Sequence, residues 1–151
     1  MLKRLLDISG SVALLVLLCI PLLILAAWIC IDSPGPALFR QVRVGRHGRE
    51  FRILKLRTMR IHGSGNESQL TGGEDTRITI AGRFLRRYKL DELPQLMNVL
   101  KGEMSLVGPR PEVPRYVAHY PADVRDTVLS VKPGITDPAS IEFRNESELL
   151  G

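Results

Sequence analysis

The hydrophobic pattern of the chain is lopsided. Residues 12 to 31 are almost wholly apolar, and nothing downstream repeats such a run. Ser11 to Ile31 reads as membrane-embedded, because about 20 apolar residues are enough to cross a bilayer as one helix. Pro21 falls at its centre, where a missing backbone donor and a ring clash kink or break a helix. Each half is then about 10 residues, or about 15 Å of helix, enough to reach the middle of the bilayer and return. Lys3 and Arg4 precede the segment and Arg40, Arg43, Arg46, Arg49 and Arg52 follow it, so both ends favour the cytoplasmic face. Charge thus favours a re-entrant hairpin, while a kinked spanning helix stays open because membrane helices tolerate proline. A cleaved signal peptide fits less well, since no small-x-small site closes the segment.

Asp32-Ser33-Pro34-Gly35-Pro36 is a rigid turn that ends this part. Phe39 to Val44 and Glu50 to Met59 then read as short strands around the turn Gly45-Arg46-His47-Gly48, with Lys55 and Arg57 on one face of the second. Residues 61 to 76 are rich in glycine and polar side chains, as in a surface loop or lid. Gly82 to Tyr88 has a helical pattern, apolar at Phe84, Leu85 and Tyr88 and basic at Arg83, Arg86 and Arg87, which suits either a solvated surface or an anionic membrane face. A further helix is expected from Asp91 or Leu93 to a stop at Gly102, with Pro94 in its first turn. The elements describe a small, mostly helical α/β domain of residues 36–151 behind an N-terminal membrane part of residues 1–35.

Composition changes this picture in one respect. The 151 residues carry a net charge of +5. Because the first 31 residues are so apolar, that charge belongs mostly to the remainder, where it attracts anionic headgroups and phosphorylated substrates. Cys19 and Cys30 both lie in the apolar segment and read as neither a disulfide nor a zinc pair. His47, His62 and His119 show no ligand spacing. Asn66-Glu67-Ser68 and Asn145-Glu146-Ser147 match a glycosylation sequon, which a cytosolic location would leave unused.

Two stretches carry candidate chemistry. In Leu90-Asp91-Glu92-Leu93-Pro94-Gln95-Leu96, two adjacent carboxylates stand at a helix start behind Arg83, Arg86, Arg87 and Lys89. A helix start favours ionised carboxylates and also attracts phosphate. An ionised Asp is a competent nucleophile toward phosphorus, and a neighbouring Glu can hold a divalent metal. An Asp that merely caps the helix is the competing reading. In Gly108-Pro109-Arg110-Pro111, two prolines restrain the backbone around Arg110, which suits bidentate phosphate recognition, although a proline-rich loop at a strand end needs no such role.

In order along the chain, Lys3-Arg4-Leu5-Leu6-Asp7, the proline-interrupted apolar segment, Ser33-Pro34-Gly35-Pro36, Lys55-Leu56-Arg57-Thr58-Met59, the Asp91-Glu92 heptapeptide, Asn98 to Ser105, Gly108 to Pro111 and Lys132-Pro133-Gly134-Ile135-Thr136 resemble the monotopic phosphoglycosyl transferases, or bacterial sugar transferases. The resemblance covers nearly the whole chain. It implies a re-entrant membrane helix broken at Pro21, interfacial amphipathic helices, and a catalytic domain on the cytoplasmic face of the bacterial inner membrane. It implies transfer of a sugar 1-phosphate from a UDP-sugar to polyprenyl (undecaprenyl) phosphate, with release of UMP, at the start of surface polysaccharide or glycoconjugate assembly. By the same resemblance Asp91 attacks phosphorus and carries a covalent phosphosugar, and Glu92 assists binding of Mg²⁺. Lys55, Arg57, Arg86 and Arg110 are then candidates for phosphate and uridine-diphosphate contacts.

Two departures stand out. Ile20 precedes Pro21 where such families often carry Ser, and relatives usually continue well beyond the position of Gly151, so a C-terminal segment is expected to be missing. Membrane lipids are expected partners and nucleic acid is not; the sugar and the oligomeric state, a homo-oligomer included, are left open. The alternative from a different class is a non-catalytic, membrane-anchored basic module that binds anionic lipid or a protein partner. It gives no reason for the carboxylate pair, the Pro-Arg-Pro turn and the broken apolar segment to occur together.

Overall fold

The structure, a computed structural model, describes residues 1–61 and 76–137. The expected loop over 61–76, apart from its ends, and both sequons lie outside the described residues. Helix α1 (Leu2–Asp32) runs continuously through Pro21, so the helix is not broken where the sequence predicts. It is followed by a two-stranded antiparallel hairpin, β1 (Leu38–Val44) and β2 (Glu50–Leu56), in which Val44 pairs with Glu50 and Leu38 with Leu56. The connecting turn takes His47 and Gly48 into the left-handed region, at φ 58° and 74°. β2 ends three residues earlier than the sequence pattern predicts, and Met59 makes only an isolated bridge to Ile78.

Helix α2 (Ile80–Arg87) begins at Thr79, whose hydroxyl accepts from the Gly82 N–H. The predicted helix after it is split into a 3₁₀ helix (Leu90–Gln95) and α3 (Leu96–Lys101), which ends at Gly102 with φ 86°. The rest comprises β3 (Ser105–Val107), α4 (Pro114–Val117), α5 (Ala122–Leu129) and β4 (Gly134–Thr136), with β3 and β4 parallel. The whole is a small mixed α/β domain with an apolar N-terminal helix.

Two apolar clusters hold these elements, and β2 contributes to both. Ile29 of α1 packs with Leu56, Ala81 and Leu85 in one; Phe51, Ile53, Val99 and Met104 form the other. Polar contacts fix each end of α1 to the same domain. Asp7, buried, accepts from the Ser105 hydroxyl at 2.9 Å and from the Leu106 N–H at 3.0 Å. Arg4 donates to the carbonyls of Val99 and Leu100 at the end of α3. At the other end, the Ala81 N–H donates to Asp32 Oδ2 at 2.9 Å. Between these ends Val16, Leu17, Ile20, Leu23 and Ile24 are all exposed.

Candidate functional site

Lys89 reverses the chain after α2 by adopting φ 53°, a left-handed conformation uncommon for a residue with a side chain. The reversal holds the carboxylate pair between anchors: Leu90 packs on the Ile29 cluster, while Pro94, Gln95 and Leu96 are buried behind. Asp91 and Glu92 are thus held half-buried in the first turn of the 3₁₀ helix, beside β2. The cap position belongs to Lys89, and no side chain caps this helix. Asp91 is therefore not the N-cap that the competing reading requires.

Strand β2 brings Lys55 to the pair. Its Nζ lies 2.7 Å from Glu92 Oε1, and Arg110 Nη2 approaches the same oxygen at 3.3 Å. Arg86 stands close enough to Asp91 to favour its ionised form, and its Nε donates to the Thr58 hydroxyl at 3.0 Å. The two carboxyls respond in opposite directions. Burial pushes Asp91 above the ordinary carboxylate range, Lys55 opposes this, and the neighbouring Glu92 charge adds to it. Burial also penalises Glu92, but Lys55, Arg110 and Lys89 outweigh it and hold Glu92 below its usual value. One carboxylate is locked in an ion-paired network; the other is the less stabilised anion and the better available base or nucleophile.

The Arg110 loop is positioned by backbone pairing. Gly108 N–H donates to the Thr136 carbonyl at 3.0 Å and Gly134 N–H to the Pro109 carbonyl at 2.9 Å. A Cβ on Gly134 would stand 2.1 Å from the Gly108 nitrogen, so this approach requires glycine. The Val44 N–H donates to the Glu112 carbonyl at 2.8 Å, tying the far side of the loop to β1. Lys55, Glu92, Gln95, Arg110, Ile135 and Arg43 line one shallow cleft.

Four of the candidates, Asp91, Glu92, Lys55 and Arg110, thus meet in one place, with Arg86 beside Asp91. Arg57 does not join them. Its guanidinium is buried and donates to the carbonyls of Pro34 at 2.7 Å, Ser33 at 2.8 Å, Gly35 at 3.1 Å and Ile29 at 3.5 Å. β2 ends at Leu56, so the alternation that would place Arg57 beside Lys55 stops one residue short, and Arg57 satisfies the end of α1 instead. Arg43 and Gln95 line the cleft without having been singled out. The signal for Arg43 was present: a hairpin turning at Gly45–Gly48 places Arg43 opposite Phe51, on the face that carries Ile53 and Lys55.

Among the described residues no three His, Cys, Asp or Glu side chains gather as a metal cluster. Asp91 and Glu92 nevertheless fit Mg²⁺, which is commonly held by one or two carboxylates together with substrate phosphates and waters. Glu92 Oε1 already faces two cations, which leaves its second oxygen and Asp91 as donors.

The chain matches the family described as bacterial sugar transferase over residues 1–150. It is 47% identical over 142 residues to a protein of Caulobacter vibrioides named UDP-glucose:undecaprenyl-phosphate glucose-1-phosphate transferase, covering 92% of this chain and 53% of that one. A Bacillus subtilis protein named as a putative undecaprenyl-phosphate N-acetylgalactosaminyl 1-phosphate transferase is 39% identical over 122 residues, 81% of this chain and 68% of its own length. An Aeromonas hydrophila UDP-N-acetylgalactosamine-undecaprenyl-phosphate N-acetylgalactosaminephosphotransferase is 39% identical over 92% of this chain and 33% of its own. The chain therefore spans about half the length of the Caulobacter relative and a third of the Aeromonas one. It belongs to the bacterial sugar transferase family.

Proposed function

We propose that this bacterial sugar transferase moves a sugar 1-phosphate from a UDP-sugar to undecaprenyl or a similar polyprenyl phosphate, at the cytoplasmic face of the inner membrane, as the first step in building a surface polysaccharide or glycoconjugate. The observation that carries the proposal is the convergence of Lys55, Arg86 and Arg110 on the Asp91–Glu92 pair. The relatives' names supply the chemical class.

In the proposed mechanism a carboxylate oxygen of Asp91 forms a bond to the β-phosphorus of the UDP-sugar. The bond from that phosphorus to the oxygen bridging to the α-phosphorus breaks, and UMP leaves with the electron pair. A phosphate oxygen of the polyprenyl phosphate then attacks the same phosphorus, the bond to Asp91 breaks, and the carboxylate is restored. Lys55 and Arg110 lie where they can neutralise the diphosphate, and their hold on Glu92 keeps that carboxylate ionised and fixed. Mg²⁺ held by Asp91 and the free Glu92 oxygen would supply further neutralisation of phosphate charge when bound. The covalent route lets nucleotide sugar and lipid phosphate use the site in turn.

A re-entrant α1 is part of the proposal. A straight helix would separate Arg4 from Asp32 by about 42 Å at about 1.5 Å per residue, yet both are bonded to one small domain. The exposed apolar residues lie between the docked ends, around Pro21, where a bend has its physical cause. On α2, Ile80, Phe84 and Tyr88 form an exposed stripe, and Trp28 of α1 stacks against Phe84 with ring centroids 5.4 Å apart, which supports an interfacial setting for that helix.

Purified protein incubated with Mg²⁺, polyprenyl phosphate and a panel of UDP-sugars tests the proposal. UMP and a polyprenyl diphosphate-sugar are expected with at least one donor. No UMP from any of them would sink it.

A further inference from the structure

Arg110 needs help to hold its place. Its side chain is 55% exposed, and it reaches Glu92 from a loop rather than from a helix or strand. The residue that grips this loop from the cleft side is Arg43, near the end of β1, only 18% exposed at the side chain. Arg43 Nη1 donates to the Pro111 carbonyl at 3.1 Å, immediately after Arg110, and stands 3.8 Å from Glu112 Oε2. Its Nη2 donates to Gln41 Oε1 at 2.8 Å, which fixes the guanidinium plane against its own strand.

We propose that Arg43 is a positioning residue for nucleotide-sugar binding: it clamps the Pro109–Glu112 loop to β1 and so aims Arg110 at the diphosphate. The inference rests on the proposed activity. Three features support it. The clamp needs two donors held in one plane toward acceptors on different elements, which the guanidinium fork supplies and a lysine ammonium does not. Arg43 sits in the cleft with Lys55, Glu92 and Arg110, so a shift of this loop moves a cleft wall and not a remote surface. Its location is also unfavourable for a cation, since burial and the nearby Arg110 both depress its pKa, with Glu112 opposing them. A role confined to strand stability would be met by an apolar side chain without that cost.

Full-length wild type, Arg43→Met, Arg43→Lys, Arg110→Met and Arg43→Met/Arg110→Met are compared for UMP release and, by calorimetry, for binding of UDP. Arg43→Met is expected to raise KM for the UDP-sugar and Kd for UDP about tenfold while kcat stays within about threefold. Arg43→Lys should give a smaller rise, about threefold. Because Arg43 acts through Arg110, the double variant should bind UDP no more weakly than Arg110→Met alone. Losses that multiply in the double variant would mean that Arg43 touches the ligand itself, and would overturn the proposal. So would a lowered Tm with unchanged KM and Kd, the mark of a purely structural arginine. If Arg43→Met does not fold, unchanged constants in folded Arg43→Lys overturn it equally. Wild type that releases UMP beside an unaffected Arg43→Met sinks this inference alone. Wild type that binds UDP but releases no UMP sinks the proposed activity and leaves the UDP arm to decide here, and wild type that does neither sinks both.

Discussion

Lys55 Nζ and Glu92 Oε1 are 2.7 Å apart, both side chains mostly buried, and Arg110 shares that oxygen. The pair joins strand β2 to the helical turn that presents Asp91. Glu92→Gln would remove the carboxylate that Lys55 and Arg110 share and leave Asp91 as the carboxylate still facing Lys55. Loss of a charge-assisted bond at such depth should cost roughly 1.5–3 kcal/mol, and turnover should fall roughly 10- to 100-fold as the cations lose their anchor. Because Glu92 titrates below its usual value, its contribution is present above the unfolded-state pKa and disappears as pH falls through the lower folded one. Thermal unfolding of the two proteins across acid pH checks this. A difference in Tm that persists unchanged at the acid end would contradict it.

Asp91→Asn separates stability from activity. Removing the proposed nucleophile should lower turnover at least about 1,000-fold. The same change should raise Tm at neutral pH, because Asp91's pKa is raised by burial and by Glu92. The sign follows from linkage: a group with a raised folded pKa favours the fold below its unfolded pKa and loses that contribution as pH rises through the folded one. Asn imitates the protonated side chain at every pH, so the gain should grow from acid toward neutral pH and then level off. Undiminished UMP release by Asp91→Asn would remove Asp91 as nucleophile. A lower Tm would contradict the burial argument.

Arg57→Met should act on folding rather than on substrate binding. The four carbonyls bonded by this buried guanidinium lie at the end of α1 and in the following turn, and losing it strands them. Large destabilisation is expected, roughly 3–5 kcal/mol, with KM for the UDP-sugar unchanged in the fraction that remains folded. A raised KM without loss of Tm would return Arg57 to the substrate site.

The carboxylate pair, Arg110 and the long apolar helix were legible in the sequence because each is a local pattern: adjacent charges, a Pro-Arg-Pro fence, a long apolar run. What was not legible depended on register and on where elements end. Arg57 looks equivalent to Lys55 until β2 stops at Leu56, and a strand end is set by what the next turn packs against rather than by alternation. Arg43 enters the cleft through its pairing opposite Phe51 and its bond to Pro111, sixty-eight positions away. Asp7 has no local pattern around it that marks burial, yet it is buried against Ser105 across ninety-eight positions. The helix expected from Asp91 or Leu93 likewise starts earlier, as a 3₁₀ turn at Leu90 behind Lys89's left-handed backbone, for which the sequence offers no glycine as a marker.

The bend proposed for α1 sets two forces against each other. Proline inside a helix costs roughly 3 kcal/mol relative to a straight one, so Pro21→Ala favours a straight, spanning helix by about that much. Crossing would pull the N-terminus away from the domain and break the bonds of Arg4 to Val99 and Leu100 and of Asp7 to Ser105 and Leu106. At roughly 1.5–3 kcal/mol for each charged group's bond, the docked end holds more than the proline does. After replacement of Cys19 and Cys30, single cysteines at the exposed positions Leu2 and Arg49 report the outcome through an impermeant maleimide. Both should label from the cytoplasmic side only, and Pro21→Ala alone should not change that. Combining Pro21→Ala with Arg4→Ala and Asp7→Ala should move position 2 to the opposite side. Labelling of positions 2 and 49 from opposite sides in the parent protein would rule out the re-entrant helix, whereas a switch in Pro21→Ala alone would show that the proline, not the docked end, holds the N-terminus in place.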